Sequence, residues 1–109
     1  MLTQGHKSNL LMKINIHSIH FTSDKKLINF IEKKIEKLVL FDSLITSADV
    51  YLKLEPSTEL DNKVADIKLS MAKSEIFASK QCKTFEEAVD LSAEALRKQI
   101  LKNKEKKRA

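Results

Sequence analysis

Apolar and polar residues alternate through Lys13-Ile14-Asn15-Ile16-His17-Ser18-Ile19, the mark of a strand that buries one face. Thr22, Ser23 and Asp24, residues that favour helix N-caps, precede a pattern that repeats at helical spacing. Leu27, Ile31, Ile35 and Leu38 fall on one stripe, flanked by Ile28 and Val39, while Lys26, Lys33 and Lys37 gather on the opposite side and Lys34 lies at the edge beside Phe30. A helix over 24–40, apolar inward and lysine outward, is predicted. Alternation resumes over 48–54. The loop at 55–62 carries the only proline, Pro56. A third strand follows with Ala65, Ile67, Leu69 and Met71 inward. Lys73-Ser74 fits a tight turn, and 75–81 reads as a fourth strand, with Ile76 and Ala78 on one face and Phe77 and Ser79 on the other. Thr84-Phe85-Glu86-Glu87 is a capping box that opens a second helix. Its apolar face, through Phe85, Ala88, Val89, Leu96 and Ile100, stops after Leu101, yet no Gly or Pro interrupts the helical pattern. The helix is therefore expected to run past the core as a charged arm.

The order is β-α-β-β-β-α. A helix joining the first two strands makes a right-handed crossover between parallel neighbours, and the short later loops make antiparallel meanders. The expected fold class is α+β: a two-layer sandwich in which both helices lie on one face of a four-stranded sheet. At 109 residues the chain forms one domain. Residues 1–11, which hold the only glycine, read as a disordered leader before a domain over 12–109.

Catalytic chemistry is thinly represented. One cysteine, Cys82, allows no internal disulfide, fits a reducing cytoplasm and reads as a structural thiol. His6, His17 and His20 lack partners at metal-ligand spacing, so no metal site is expected, and a chain with one glycine has no phosphate-cradling loop. Asp49, Asp66 and Asp90 are scattered. A non-enzyme without cofactor or small-molecule substrate is expected. No apolar run is long enough to span a membrane.

Charge changes the picture more. Residues 97–109 hold seven of the 20 basic residues and one of the 15 acidic ones, a net +6 against −1 for everything before them. Lys98, Lys102 and Lys106, four apart, form one ridge, and Arg97, Lys104 and Arg108 form a second, with Lys107 alongside. Such crowding of like charge is costly unless a polyanion relieves it. An arm without an apolar face past Leu101 does not suit a lipid surface. Lysine ridges without recognition aromatics contact nucleic-acid backbone more than bases, and Tyr51 and Phe77, on the outer sheet face, are too few for a stacking platform. The residues thus describe a shape-and-charge reader of structured RNA, or a DNA binder of low sequence preference.

The C-terminal string Lys98-Gln99-Ile100-Leu101-Lys102-Asn103-Lys104-Glu105-Lys106 resembles the [KR]-Q-[LI]-x-K-x-K-x-K ending of the ribosome hibernation promoting factor and ribosome-associated inhibitor family. Met12-Lys13-Ile14-Asn15-Ile16 is similar to that family's M-x-I-x-I opening, Glu75-Ile76-Phe77-Ala78-Ser79 to its E-I-x-A-S strand, and Ala88-Val89-Asp90 to its A-A-I-D step. Lys34 and Lys37 fall on its helix-1 K-x-x-K. The similarity spans Met12 to about Arg108. It implies a fold like that of double-stranded RNA-binding domains, monomeric off the ribosome, docked on the small ribosomal subunit in the channel for mRNA and tRNA. There Lys34, Lys37, Arg97, Lys98, Lys102, Lys104, Lys106 and Lys107 would contact rRNA phosphates. It further implies a cytoplasmic bacterial factor that blocks translation when growth slows and, in its short form, promotes inactive ribosome dimers. The family's aromatic before the A-A-I-D step is Glu86 here, its glycines before strand four are Ala72-Lys73-Ser74, and a frequent strand-four histidine is Phe77. Two other readings stay open: a free-standing double-stranded RNA-binding module, and a protein-interaction regulator whose lysines are only solvated surface.

Overall fold

The structure, a computed structural model, describes residues 3–4, 13–19, 23–41, 44–55 and 61–108, with side chains up to 103 and excluding those of 3, 4 and 41. His6, His20, Thr22, Pro56 and most of the predicted leader and proline loop lie outside the described residues. Thr3–Gln4 forms a two-residue strand, β1, and Lys13–Ser18 forms β2. Helix α1 spans Lys25–Phe41, β3 spans Ile45–Leu54, β4 Lys63–Met71, β5 Glu75–Cys82 and α2 Phe85–Arg108. The sheet order is β1-β2-β3-β4-β5. The four long strands and two helices follow the predicted order. β1 is an addition within the segment read as a leader: Thr3 and Gln4 pair antiparallel with His17 and Ile16.

β2 and β3 are parallel, with Ile16 opposite Val50, as a helical crossover requires. β3, β4 and β5 form an antiparallel meander. Because successive side chains point to opposite faces, Ile14 and Ile16, Ala48, Val50 and Leu52, Ala65, Ile67 and Leu69, and Ile76 and Ala78 all turn to one side, where they are buried. β3 starts three residues before the predicted alternation. A register shift between Ile45 and Ser47 lets both Ile45 and Ala48 face inward, three positions apart.

The helices close this face. Asp24 caps α1, its Oδ1 accepting from the amide of Leu27 at 2.8 Å. Leu27, Ile31, Ile35 and Leu38 enter the core, and Ile31 and Ile35 are fully buried. Burial of each such isoleucine contributes about 1.5–3 kcal/mol. In α2, Thr84 Oγ1 accepts from the amide of Glu87 at 3.1 Å, the predicted cap. Ala88, Val89, Leu96 and Ile100 complete the core. Ser92 lies on the same buried face, and its hydroxyl donates to the Ala65 carbonyl at 3.1 Å, which satisfies this buried polar group where α2 packs on β4.

Candidate nucleic-acid interface

The two layers present different electrostatic surfaces. On the outer sheet face the register sets His17 beside Tyr51, Tyr51 beside Asp66 and Asp66 beside Ser79. The His17 and Tyr51 rings stack at 4.7 Å, 12° from parallel. Asn15 Nδ2 donates to Asp49 Oδ1 at 3.2 Å, and His17 Nε2 lies 3.9 Å from the same oxygen. Ser79 donates to Asp66, Lys53 Nζ lies 3.4 Å from Asp66 Oδ2, and Lys68 Nζ lies 3.7 Å from Glu75 Oε2. Asp49, Lys53, Asp66, Lys68 and Glu75 on this face thus all have partners within the protein. Tyr51 is committed to an internal stack, whereas Phe77, on the edge strand β5, is 53 % exposed.

Helix α2 carries the other surface. Twenty-four residues at 1.5 Å each make it about 36 Å long. Among the described side chains its last deeply buried one is Ile100, and Leu101, Lys102 and Asn103 are exposed while the helix backbone continues to Arg108. The predicted arm is thus present as backbone. The side chains of Lys104, Lys106 and Lys107 lie outside the described residues.

The predicted cations divide into two groups. Lys37, Lys98 and Lys102 are exposed and have no carboxylate partner among the described residues. Lys33, one turn before Lys37, is exposed in the same way. Lys34 and Arg97 are counter-charged instead. Lys34 Nζ lies 2.6 Å from Asp90 Oδ1, across the α1–α2 contact, and 5.4 Å from the centre of the Phe30 ring. The Arg97 guanidinium forks onto Glu94, with Nε donating at 3.1 and 3.2 Å to the two carboxylate oxygens and Nη2 to Oε1. That hydrogen bonding holds the Glu94 carboxyl below the usual carboxylate range, aided by the charges of Arg97, Lys98 and Lys34, and raises the Arg97 guanidinium. Lys34, Asp90, Glu94, Arg97 and Lys98 therefore form one charge cluster.

Asp90 and Glu94 are the residues that the reading of basic ridges missed. The signal was present: Asp90, Glu94, Lys98 and Lys102 succeed one another every four residues, so a single ridge changes sign half-way along. On α1, Glu32 also departs from a solvated face, since it is 5 % exposed.

Among the described residues no group of three or more His, Cys, Asp and Glu is placed to hold a metal, and no helix is long and apolar enough to cross a membrane. What the arrangement can do is bind anions: exposed ammonium groups such as those of Lys98 and Lys102, four residues apart on a helix, can replace the counterions of a polyphosphate.

The sequence profile of the family described as Sigma 54 modulation protein / S30EA ribosomal protein matches residues 14–108. No curated protein matches the sequence. A ribosomal subunit interface protein from Coxiella burnetii shares the fold with a TM-score of 0.74 at 20 % identity, over 84 % of this chain and 96 % of that one. The N-terminal domain of Thermus thermophilus Protein Y does so with a TM-score of 0.68 at 16 % identity, over 78 % and 90 %. At these identities the likeness speaks for the fold alone.

Proposed function

Since the chain belongs to the family described as Sigma 54 modulation protein / S30EA ribosomal protein, we propose that it is a ribosome hibernation factor whose domain over 12–109 binds the small ribosomal subunit. The name of the Coxiella burnetii relative, a ribosomal subunit interface protein, points to the same partner. In this reading the basic helices grip rRNA phosphates and the folded body fills the channel for mRNA and tRNA. Translation stops by exclusion, without a reaction or a cofactor, and the occupied ribosomes pair as inactive dimers. The observation that carries the reading is the exposed, unpartnered Lys98–Lys102 ridge on a helix that outruns the core. Lys37, Lys98 and Lys102 are the first contacts, with Lys104, Lys106 and Lys107 continuing along the arm.

Co-sedimentation with purified small subunits over a salt series tests it. If these six lysines neutralise about six phosphates, affinity falls about a thousand-fold between 50 and 200 mM salt. Ribosome dimers should appear in sucrose gradients when the protein is added to 70S particles. Binding that ignores salt contradicts the reading. Equal affinity for generic duplex RNA and for small subunits assigns the protein to a free-standing duplex-binding role instead.

A further inference from the structure

Asp90 and Glu94 stand on the ridge that should bind RNA, and each holds a cation that would otherwise extend it. Lys34 and Arg97 both belong, by position, beside Lys98. Without their carboxylates they would add two positive charges next to Lys98 and Lys102. With them, this part of the surface is neutral. Steps of four residues along a helix are about 6 Å apart, so the ridge passes from neutral to positive between Glu94 and Lys98, in little more than one turn. A phosphate backbone that follows α2 from its C-terminal end meets Lys102 and Lys98, then two carboxylates.

We infer that Asp90 and Glu94 are specificity-determining residues: they end the phosphate-binding ridge of α2 at Lys98 and so weaken binding to generic RNA. The inference rests on the reading that this surface binds RNA and names how that surface selects. Sequence-independent affinity grows with every phosphate neutralised, so a longer basic surface binds any duplex more tightly. A patch limited to Lys37 on α1 and the outer part of α2 gains full affinity only where folded RNA presents phosphates to both and leaves room for the neutral section between them. Selectivity is a difference of affinities, and withholding cations from the wrong RNA raises it as surely as adding contacts to the right one.

The test compares the full chain with the variants Asp90→Asn, Glu94→Gln and the double substitution, binding a 20-base-pair RNA duplex of arbitrary sequence over a salt series. Each released cation should steepen the log-affinity against log-salt slope by about 0.9, so the double variant should exceed the parent by about two and bind the duplex about tenfold more tightly at low salt. Small-subunit affinity should change less. Glu86→Gln alters net charge equally from an exposed site outside the cluster, and should leave the slope unchanged. The paired deletions Lys34→Met with Asp90→Asn, and Glu94→Gln with Arg97→Gln, should restore the parental slope. If the double variant loses its helical circular dichroism, Asp90→Asn alone decides, since Asp90 is half exposed and its removal frees Lys34 at the cost of one surface ion pair. An unchanged slope in the acid variants, or the same steepening from Glu86→Gln, overturns the inference. Failure of the parent to bind small subunits would overturn the proposed function, while the duplex comparison would still decide this one.

Discussion

Lys34 Nζ sits 2.6 Å from Asp90 Oδ1, so an ion pair fastens the middle of α1 to the first turns of α2. Both side chains retain solvent exposure, 29 % and 54 %, which limits the strength of the pair. A double-mutant cycle with Lys34→Met and Asp90→Asn, read by urea unfolding, should give a coupling of about 0.5 kcal/mol that shrinks in high salt. A coupling of several kcal/mol, insensitive to salt, would show that the pair is a structural keystone instead.

Ser92 is fully buried with its hydroxyl on the Ala65 carbonyl. Ser92→Ala keeps the small volume but removes that donor. It should cost about 1 kcal/mol, lowering the urea midpoint without altering the slope of the transition. Ile67→Ala, in the fully buried centre of β4, should cost about 2–5 kcal/mol in the same measurement, because it leaves a cavity where serine leaves only a lost bond.

The bond from Arg97 to Glu94 has a consequence for pH. A carboxyl whose value in the folded protein is depressed adds stability that is present above its unfolded value and lost as pH falls through the folded one. Carbon-detected NMR should find Glu94 titrating below the ordinary glutamate value of about 4.3, and Arg97→Gln should bring it back up. Coincident titrations in the two proteins would show that the fork does not persist in solution.

Burial pushes the Cys82 thiol up, and the charges of Glu87 and Asp61 add to the effect against the opposing charge of Lys80. Little thiolate is then present near neutral pH. Reaction with a disulfide reagent should be slow in the native protein and should accelerate on unfolding in urea. Rapid labelling of the folded chain at pH 7 would contradict the packing around this residue.

Periodicity made most of the fold legible. The Leu27–Ile31–Ile35–Leu38 stripe, the alternation of Ile14 and Ile16, and the Thr84–Glu87 cap all rest on local rules that the surroundings reinforce. The start of β3 was hidden because the irregularity between Ile45 and Ser47 breaks the period of two on which a strand is recognised. β1 was hidden because two residues carry no period at all. The buried place of Ser92 was not legible, since its acceptor, the Ala65 carbonyl, is 27 residues away. In the candidate interface, residue type and spacing located Lys98 and Lys102 on an exposed ridge. They could not show that Asp90 reaches Lys34, which depends on how two helices dock, although the i, i+3 spacing of Glu94 and Arg97 was in plain view.

The account depends on which cations are free to replace counterions on RNA, and the salt slope of small-subunit binding reads this directly. In the variant Lys37→Gln/Lys98→Gln/Lys102→Gln the log–log slope should fall by about 2.7, with a large loss of affinity at low salt. In Lys34→Gln/Arg97→Gln, whose cations already hold Asp90 and Glu94, it should barely fall. Equal slopes for the first variant and the parent, or a larger drop in the second variant than in the first, would contradict the account.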